Sequence, residues 1–284
     1  MKSMKRIVIA AAGVLALSGA ALSGAALAAG GKKIEPQNPV PLPAFTFNGT
    51  FGHFDEASLQ RGFQVYKEVC ASCHGMNLLA YRHLGQEGGP FYNPDFPSPT
   101  DNPVVKAIAA DYEVPAGPDE FGNIFSDDGL GFRMRPGLPT DQFKNPYQND
   151  VEASVANNGA LPPDLSVITK ARKGGPEYIY QLLLGYEEPP EGTELKDALY
   201  YNPYFAGGWI AMPQFIYDDS VEYADGTVAT AQQITYDVTN FLHWAAEPHL
   251  EQRKRRGVIT MAYLLIFSGL LYLTYKKVWA DVDH

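Results

Sequence analysis

The chain runs to 284 residues with 45% hydrophobic side chains, enough to build a sizeable core in one large domain or two small ones. Residues 29–252 hold 30 acidic and 13 basic side chains, a net −17. Such a field excludes nucleic acid as a natural ligand; it would steer a basic protein toward the chain, although solubility alone also accounts for acidic surface.

In chain order, residues 1–28 read as a cleavable secretory leader. Lys2, Lys5 and Arg6 precede an apolar run from Ile7, and Ala26-Leu27-Ala28 makes an A-x-A cleavage site. The mature chain then begins at Ala29, and residues 29–51 are Pro-rich and extended. Residues 55–69 bring Leu59, Phe63, Tyr66 and Cys70 onto one helical face, with Asp55 as N-cap. That helix runs into Val69-Cys70-Ala71-Ser72-Cys73-His74, and a short helical turn is expected over residues 75–84. The 27 Gly and 22 Pro mark a loop-rich fold. Around a helix expected over 104–111, the stretch from Pro90 to Tyr147 reads as an elaborated insertion.

Further on, residues 150–157 predict a short helix closed by Asn158-Gly159. Gly174-Gly175-Pro176 opens another, with Ile179, Leu182, Leu183 and Tyr186 as its apolar face and Pro189-Pro190 as its stop. In the last soluble helix Thr230 and Gln233 form a capping box, and Ile234, Val238, Phe241, Leu242 and Ala245 form a buried stripe ending before Pro248. No segment predicts more strand than a hairpin.

Residues 257–275 are 19 in a row without a charge, bounded by Arg253-Lys254-Arg255-Arg256 and Lys276-Lys277. At helical rise they span ~28 Å, the hydrocarbon thickness of a bilayer. The layout is therefore a leader over 1–28, an exported domain over 29–252, a transmembrane anchor with basic flanks over 253–277, and a cytoplasmic tail over 278–284. Basic residues are more numerous before the span than after it, which by count alone keeps the large domain inside; a cleavable leader overrides that count. The cluster ahead of the span then reads as meeting lipid head groups or a partner subunit.

The chemistry sits in the Cys-x-x-Cys-His run. On a helix Cys70, Cys73 and His74 point to one side, so both thiols can add to porphyrin vinyl groups while the imidazole lies under the iron. A zinc site needs four ligands and the chain has only these two cysteines; a redox dithiol expects a βαβ surrounding. No cysteine is left for a disulfide. A helix carrying this run, an irregular middle and a C-terminal helix make a mainly α plan: the class I c-type cytochrome fold with long loop insertions, plus one C-terminal transmembrane helix.

The second axial ligand of that plan is normally a distant methionine. Met76 is too close to His74 to reach the opposite haem face, and Met261 lies in the span. Met212, in Gly207-Gly208-Trp209-Ile210-Ala211-Met212-Pro213, is favoured over Met134, whose neighbours Arg133 and Arg135 suit an apolar crevice poorly. His53, His83, His243 and His249 stay open as alternatives, and either methionine can equally fill core.

Several longer runs resemble the cytochrome c1 family. They are Val69 to Met76 followed by Tyr81-Arg82-His83-Leu84, then Ala171-Arg172-Lys173-Gly174-Gly175-Pro176-Glu177-Tyr178, then Ala211-Met212-Pro213. Glu222-Tyr223-Ala224-Asp225-Gly226-Thr227 and Phe241-Leu242-His243-Trp244-Ala245-Ala246-Glu247-Pro248, ahead of an anchor, complete the match. The resemblance implies one covalent haem c held by Cys70 and Cys73, iron ligated by His74 and Met212, and Arg172 and Tyr178 near the haem propionates. It also implies an electron-carrying subunit of a respiratory or photosynthetic quinol:cytochrome c oxidoreductase, with no bond-making active site of its own. Its partners would be the cytochrome b subunit, a Rieske iron-sulfur protein as donor, a soluble c-type cytochrome as acceptor, and membrane lipid. The expected place is a bacterial inner membrane, crossed once, with the haem domain in the periplasm. Two other readings stand beside it: a free-standing tethered cytochrome donating to a terminal oxidase, and a haem-based sensor with an open sixth position. Candidate docking clusters are Asp127-Asp128, Glu187-Glu188 with Glu191, and Asp218-Asp219.

Overall fold

The computed structural model describes residues 34–126 and 131–281, so the leader over 1–28 and the Asp127-Asp128 pair lie outside the described residues. Its helices and ribbons belong to one unit, Pro36–His284. Helix α1, Glu56–Glu68, starts where the Asp55 carboxylate accepts from the Ala57 N–H at 3.1 Å. It buries Leu59, Phe63 and Tyr66, the face expected from their spacing.

These side chains pack on the last soluble helix, which is the longest of the domain. This C-terminal core helix, Ala231–Ala246, has a buried face that includes Ile234, Val238, Phe241, Leu242 and Ala245. Thr230 Oγ1 accepts from the Gln233 N–H at 3.1 Å, the first half of the expected capping box. The second half does not form. The Thr230 N–H donates instead to the Val228 carbonyl at 3.0 Å, and the Gln233 amide nitrogen donates to the fully buried Asp237 carboxylate at 3.0 Å, a charge-assisted bond that draws the side chain along the helix.

The two helices touch at Gly62. A Cβ there would lie 2.1 Å from the Asp237 carbonyl oxygen and 2.7 Å from Phe241 Cβ, so any larger residue would force the helices apart. On one side of this point Phe63 meets Phe241 edge-on at 5.7 Å and Tyr66 lies 5.9 Å from the same ring. On the other a polar network closes the seam. The Arg61 guanidinium donates to both Asp237 oxygens at 2.9 and 3.1 Å and reaches Asp225 at 2.9 Å. Ser58 adds a hydrogen bond to Asp237 at 2.6 Å.

The insertion holds α2, Pro103–Ala110, capped by the buried Asn102, and a ribbon pairing β1, Glu113–Pro115, antiparallel with β2, Met134–Pro136. It then returns to the motif. Arg82 N–H donates to the Pro139 carbonyl at 2.7 Å, Tyr81 N–H to Asp141 at 3.1 Å, and Phe143 N–H to Leu79 at 2.9 Å. Phe143 stacks on Tyr81 at 4.8 Å inside the core. The turn expected over 75–84 shortens to a 3-10 turn, Tyr81–Gly85.

Helix α3 is Asp150–Ala156 and α4 is Ile168–Ala171, a four-residue turn with no sequence signal. Helix α5, Gly175–Leu184, begins behind Gly174, whose φ of 95° belongs to the left-handed region glycine tolerates. Both α4 and α5 pack against the C-terminal core helix, which is α6 in chain order. A small ribbon, β3 Tyr200–Tyr201 with β4 Trp209–Ile210, precedes it.

Helix α7, Leu250–Val278, follows at once and is long and apolar enough to cross a membrane. It starts before the basic cluster, and its first turns are fastened to the domain. Glu251 accepts from the Phe54 N–H at 2.7 Å, Lys254 donates to the Phe47 carbonyl, and Arg253 pairs with Glu247 at 3.3 Å. Half of the cluster read as facing lipid or a partner therefore binds the chain itself, since the helix leaves the domain within reach of its loop carbonyls. Arg255 and Arg256 are exposed.

Candidate functional site

α1 stops at Glu68, and the motif continues it as a tighter 3-10 turn, Cys70–Ser72, rather than as the α-helix the spacing suggests. Ser72 contributes to the change by donating its hydroxyl to the Val69 carbonyl at 2.9 Å. The Cys73 and His74 amides both donate to the Cys70 carbonyl, at 3.1 and 2.9 Å, so the three motif residues stay within one turn. Burial pushes the Cys70 thiol up to about 12, with Cys73 beside it adding to the shift. A dithiol oxidoreductase lowers its attacking thiol instead, so the surroundings do not suit that chemistry.

The imidazole is oriented by a segment far along the chain. His74 Nδ1 lies 2.8 Å from the Pro163 carbonyl oxygen; a carbonyl only accepts, so Nδ1 carries the proton and Nε2 keeps its lone pair. Burial lowers the His74 pKa, with the Pro163 bond and Asp164 opposing it. The Pro163 segment is itself stitched under the motif. Asp164 accepts from the Asn77 N–H at 2.7 Å, Leu165 N–H donates to the Gly75 carbonyl at 2.9 Å, and Ser166 Oγ accepts from Leu78 N–H at 3.0 Å. Two neighbouring thiols beside an imidazole with a free Nε2 fit a covalently attached haem. Pro163 and its stitches carry no motif; the one local signal is the pair of consecutive prolines in Leu161-Pro162-Pro163-Asp164, which stiffens the backbone there.

Met212 is half-buried in the loop after β4, where its carbonyl accepts from the Tyr186 hydroxyl at 2.9 Å. Met134 stands on β2 and is 45% exposed, a poor start for a ligand to a buried iron. Among the histidines, His83 Nδ1 accepts from the Ala80 N–H at 3.0 Å, and His243 packs 4.3 Å from the Phe47 ring with Nδ1 on Thr169 Oγ1 at 3.2 Å. His53 and His249 are exposed. Arg172 is exposed just after α4, and Tyr178 is half-buried on α5. Burial raises the Tyr178 phenol and the Arg172 charge opposes that rise, which makes the two residues neighbours. No hydrogen bond or ion pair of the described residues joins either of them to the motif.

A mainly helical domain whose first helix ends in paired thiols and an oriented imidazole, and crosses a C-terminal helix, is a c-type cytochrome of the class I plan. The family model described as "Cytochrome C1 family" matches residues 45–282. Cytochrome c1 of Rhodospirillum rubrum is 40% identical over 297 residues, covering 99% of this chain and 98% of its own. The mitochondrial cytochrome c1 heme protein of Schizosaccharomyces pombe is 46% identical over 233 residues, covering 81% of this chain and 69% of its own. Cytochrome b/c1 of Bradyrhizobium diazoefficiens is 44% identical over 266 residues, 87% of this chain but only 36% of that longer protein. The chain belongs to the cytochrome C1 family.

Proposed function

We propose that the chain is the electron-transfer subunit of a quinol:cytochrome c oxidoreductase, the bc1 complex, taking electrons from a Rieske iron-sulfur protein and delivering them to a soluble c-type cytochrome. Family membership supports the role, and one observation carries the site: the His74 ring is held by Pro163 with Nε2 available. Cys70 and Cys73 would form the two thioethers, His74 Nε2 the proximal bond, and Met212 the distal one. A haem so ligated exchanges one electron between ferrous and ferric states, and a thioether ligand favours the ferrous form. Arg172 and Tyr178 would attend the propionates, where a guanidinium and a phenol can offset and hydrogen-bond carboxylates.

The α7 helix fits a membrane anchor, with Arg255 and Arg256 meeting lipid head groups. In a bacterial inner membrane residues 29–252 would lie in the periplasm once the leader over 1–28 is removed, with 253–277 across the bilayer and 278–284 in the cytoplasm. The cytochrome b subunit would pack beside the anchor. Gentle solubilisation and capture of this chain tests the reading: a multi-helix b-type cytochrome and an iron-sulfur protein should come with it. Recovery with a terminal oxidase alone would favour the free-standing tethered cytochrome instead. A change in the reduced spectrum on adding carbon monoxide would favour a sensor.

A further inference from the structure

The loop bearing Met212 is hung from the C-terminal end of α5 by side chains that no motif marks. Tyr186 follows α5 directly, and its hydroxyl donates to the Met212 carbonyl at 2.9 Å, with the Pro213 carbonyl also within 3.4 Å. A carbonyl only accepts, so the phenol O–H is the donor in both contacts. Asn202, fully buried, ties down the β3–β4 turn that leads into this loop: its Nδ2 donates to the Leu182 carbonyl at 2.8 Å, its Oδ1 accepts from Tyr204 N–H at 3.1 Å, and its own N–H donates to the Gly208 carbonyl at 2.9 Å. Gly185 lets the Tyr204 ring close over the joint, since a Cβ there would sit 2.2 Å from Tyr204 Cδ2.

Pro213 disfavours helical backbone at Met212 but leaves its carbonyl a range of extended orientations. The Tyr186 bond holds that carbonyl at one point of the range. We propose that Tyr186 is a positioning residue for the distal ligand, fixing the Met212 carbonyl so that the thioether is presented to iron in one orientation. The proposal rests on Met212 being that ligand. Without the phenol O–H the loop gains alternative peptide orientations, and the sulfur competes less well with an added ligand for the sixth position.

The test uses the membrane-purified holoprotein and imidazole as the competing ligand, followed through the sulfur-to-iron charge-transfer band of the ferric form. Tyr186→Phe keeps the ring and removes one hydroxyl; losing a hydrogen bond of this kind should raise imidazole affinity about tenfold and lower the reduction potential. Tyr204→Phe is the control for a purely structural effect. The Tyr204 hydroxyl accepts from the Val40 N–H at 2.8 Å and touches neither Met212 nor Pro213, so its loss should reduce thermal stability and leave imidazole affinity unchanged. A Tyr186→Phe protein with wild-type affinity and potential would overturn the proposal, as would an equal rise in affinity in both variants. Should Tyr186→Phe yield no holoprotein, Asn202→Ala, which frees the turn leading into the Met212 loop from the α5 carbonyl, must raise the affinity instead, and wild-type affinity there would overturn the proposal. Met212→Leu separates the two levels: a charge-transfer band that survives it refutes the ligand assignment itself.

Discussion

Asp237→Ala should be the most damaging single change away from the haem motif. The Asp237 side chain is 0% exposed and accepts from Ser58, Gln233 and two nitrogens of Arg61, whose own side chain is 14% exposed. Burial alone would lower the Arg61 pKa; its hydrogen bonds to Asp237 and Asp225 outweigh that and hold it raised. Removing one member of a buried pair costs about 3–5 kcal/mol, because the remaining charge stays desolvated. Asp225, 2.9 Å from Arg61 and 45% exposed, keeps part of the pairing, which places the cost near the lower end. At about 2–4 °C per kcal/mol for a domain of this size, 3 kcal/mol lowers Tm by roughly 6–12 °C. Helical circular dichroism of the detergent-solubilised holoprotein measures it. Replacing both partners with apolar residues, Arg61→Met with Asp237→Leu, should recover much of the loss. A single variant that melts within about 1 °C of wild type, or a double variant no better than the single, would refute the reasoning.

Four further outcomes follow from the same structure. Cys70→Ser or Cys73→Ser should abolish stable holoprotein, read by haem staining of a denaturing gel; wild-type staining would contradict the thioether assignment. Gly62→Ala should destabilise by about 1–3 kcal/mol or more in urea unfolding, because its Cβ has only backbone and Phe241 to displace. Burial lowers His243 from its ordinary 6.5 to about 4, so the unfolded chain binds the extra proton between those values. Stability should therefore fall as pH drops from 6.5 to 4, and His243→Gln should flatten that window, read from urea midpoints across pH. Finally, the association rate with a basic soluble cytochrome should fall steeply with ionic strength in stopped-flow reduction, since the Debye length shrinks from about 30 Å at 0.01 M to about 10 Å at 0.1 M. Within the clusters considered, Glu187 accepts from the Gln37 and Asn38 amides and Asp218 from Ala231, so Glu188, Glu191 and Asp219 are the charges to neutralise without removing those bonds.

Elements with a strong period or a sharp end signal were legible from the residues alone. Asp55 and Thr230 cap the helices that begin behind them, and the stripe from Ile234 to Ala245 is the buried one. What the residues could not reveal depends on partners far apart in sequence. Gly62 reads as an ordinary helix glycine until Asp237 and Phe241 are laid against it. The insertion shows little periodicity because only scattered side chains such as Val105, Ala109 and Phe143 enter the core, while backbone bonds at Pro139, Asp141 and Phe143, which leave no side-chain pattern, hold much of the rest. Gln233 fits a capping box locally and is diverted by a buried carboxylate one turn on. At the site, Cys70, Cys73 and His74 were readable because their chemistry demands their spacing. The groups that orient them, Pro163 for the imidazole and Tyr186 for the Met212 loop, act through a carbonyl oxygen and a single hydroxyl that any sequence offers many times.

Electron flow through this chain is tested directly by a single-turnover experiment on the gently solubilised complex. Quinol is mixed with the oxidised preparation, and the c-type haem band is followed before and after soluble cytochrome c is added. The band should reduce in the first step, only when the b-type cytochrome and iron-sulfur protein are present, and reoxidise in the second as the soluble cytochrome turns ferrous. A band that quinol reduces without those partners, or that soluble cytochrome c fails to reoxidise, would contradict it.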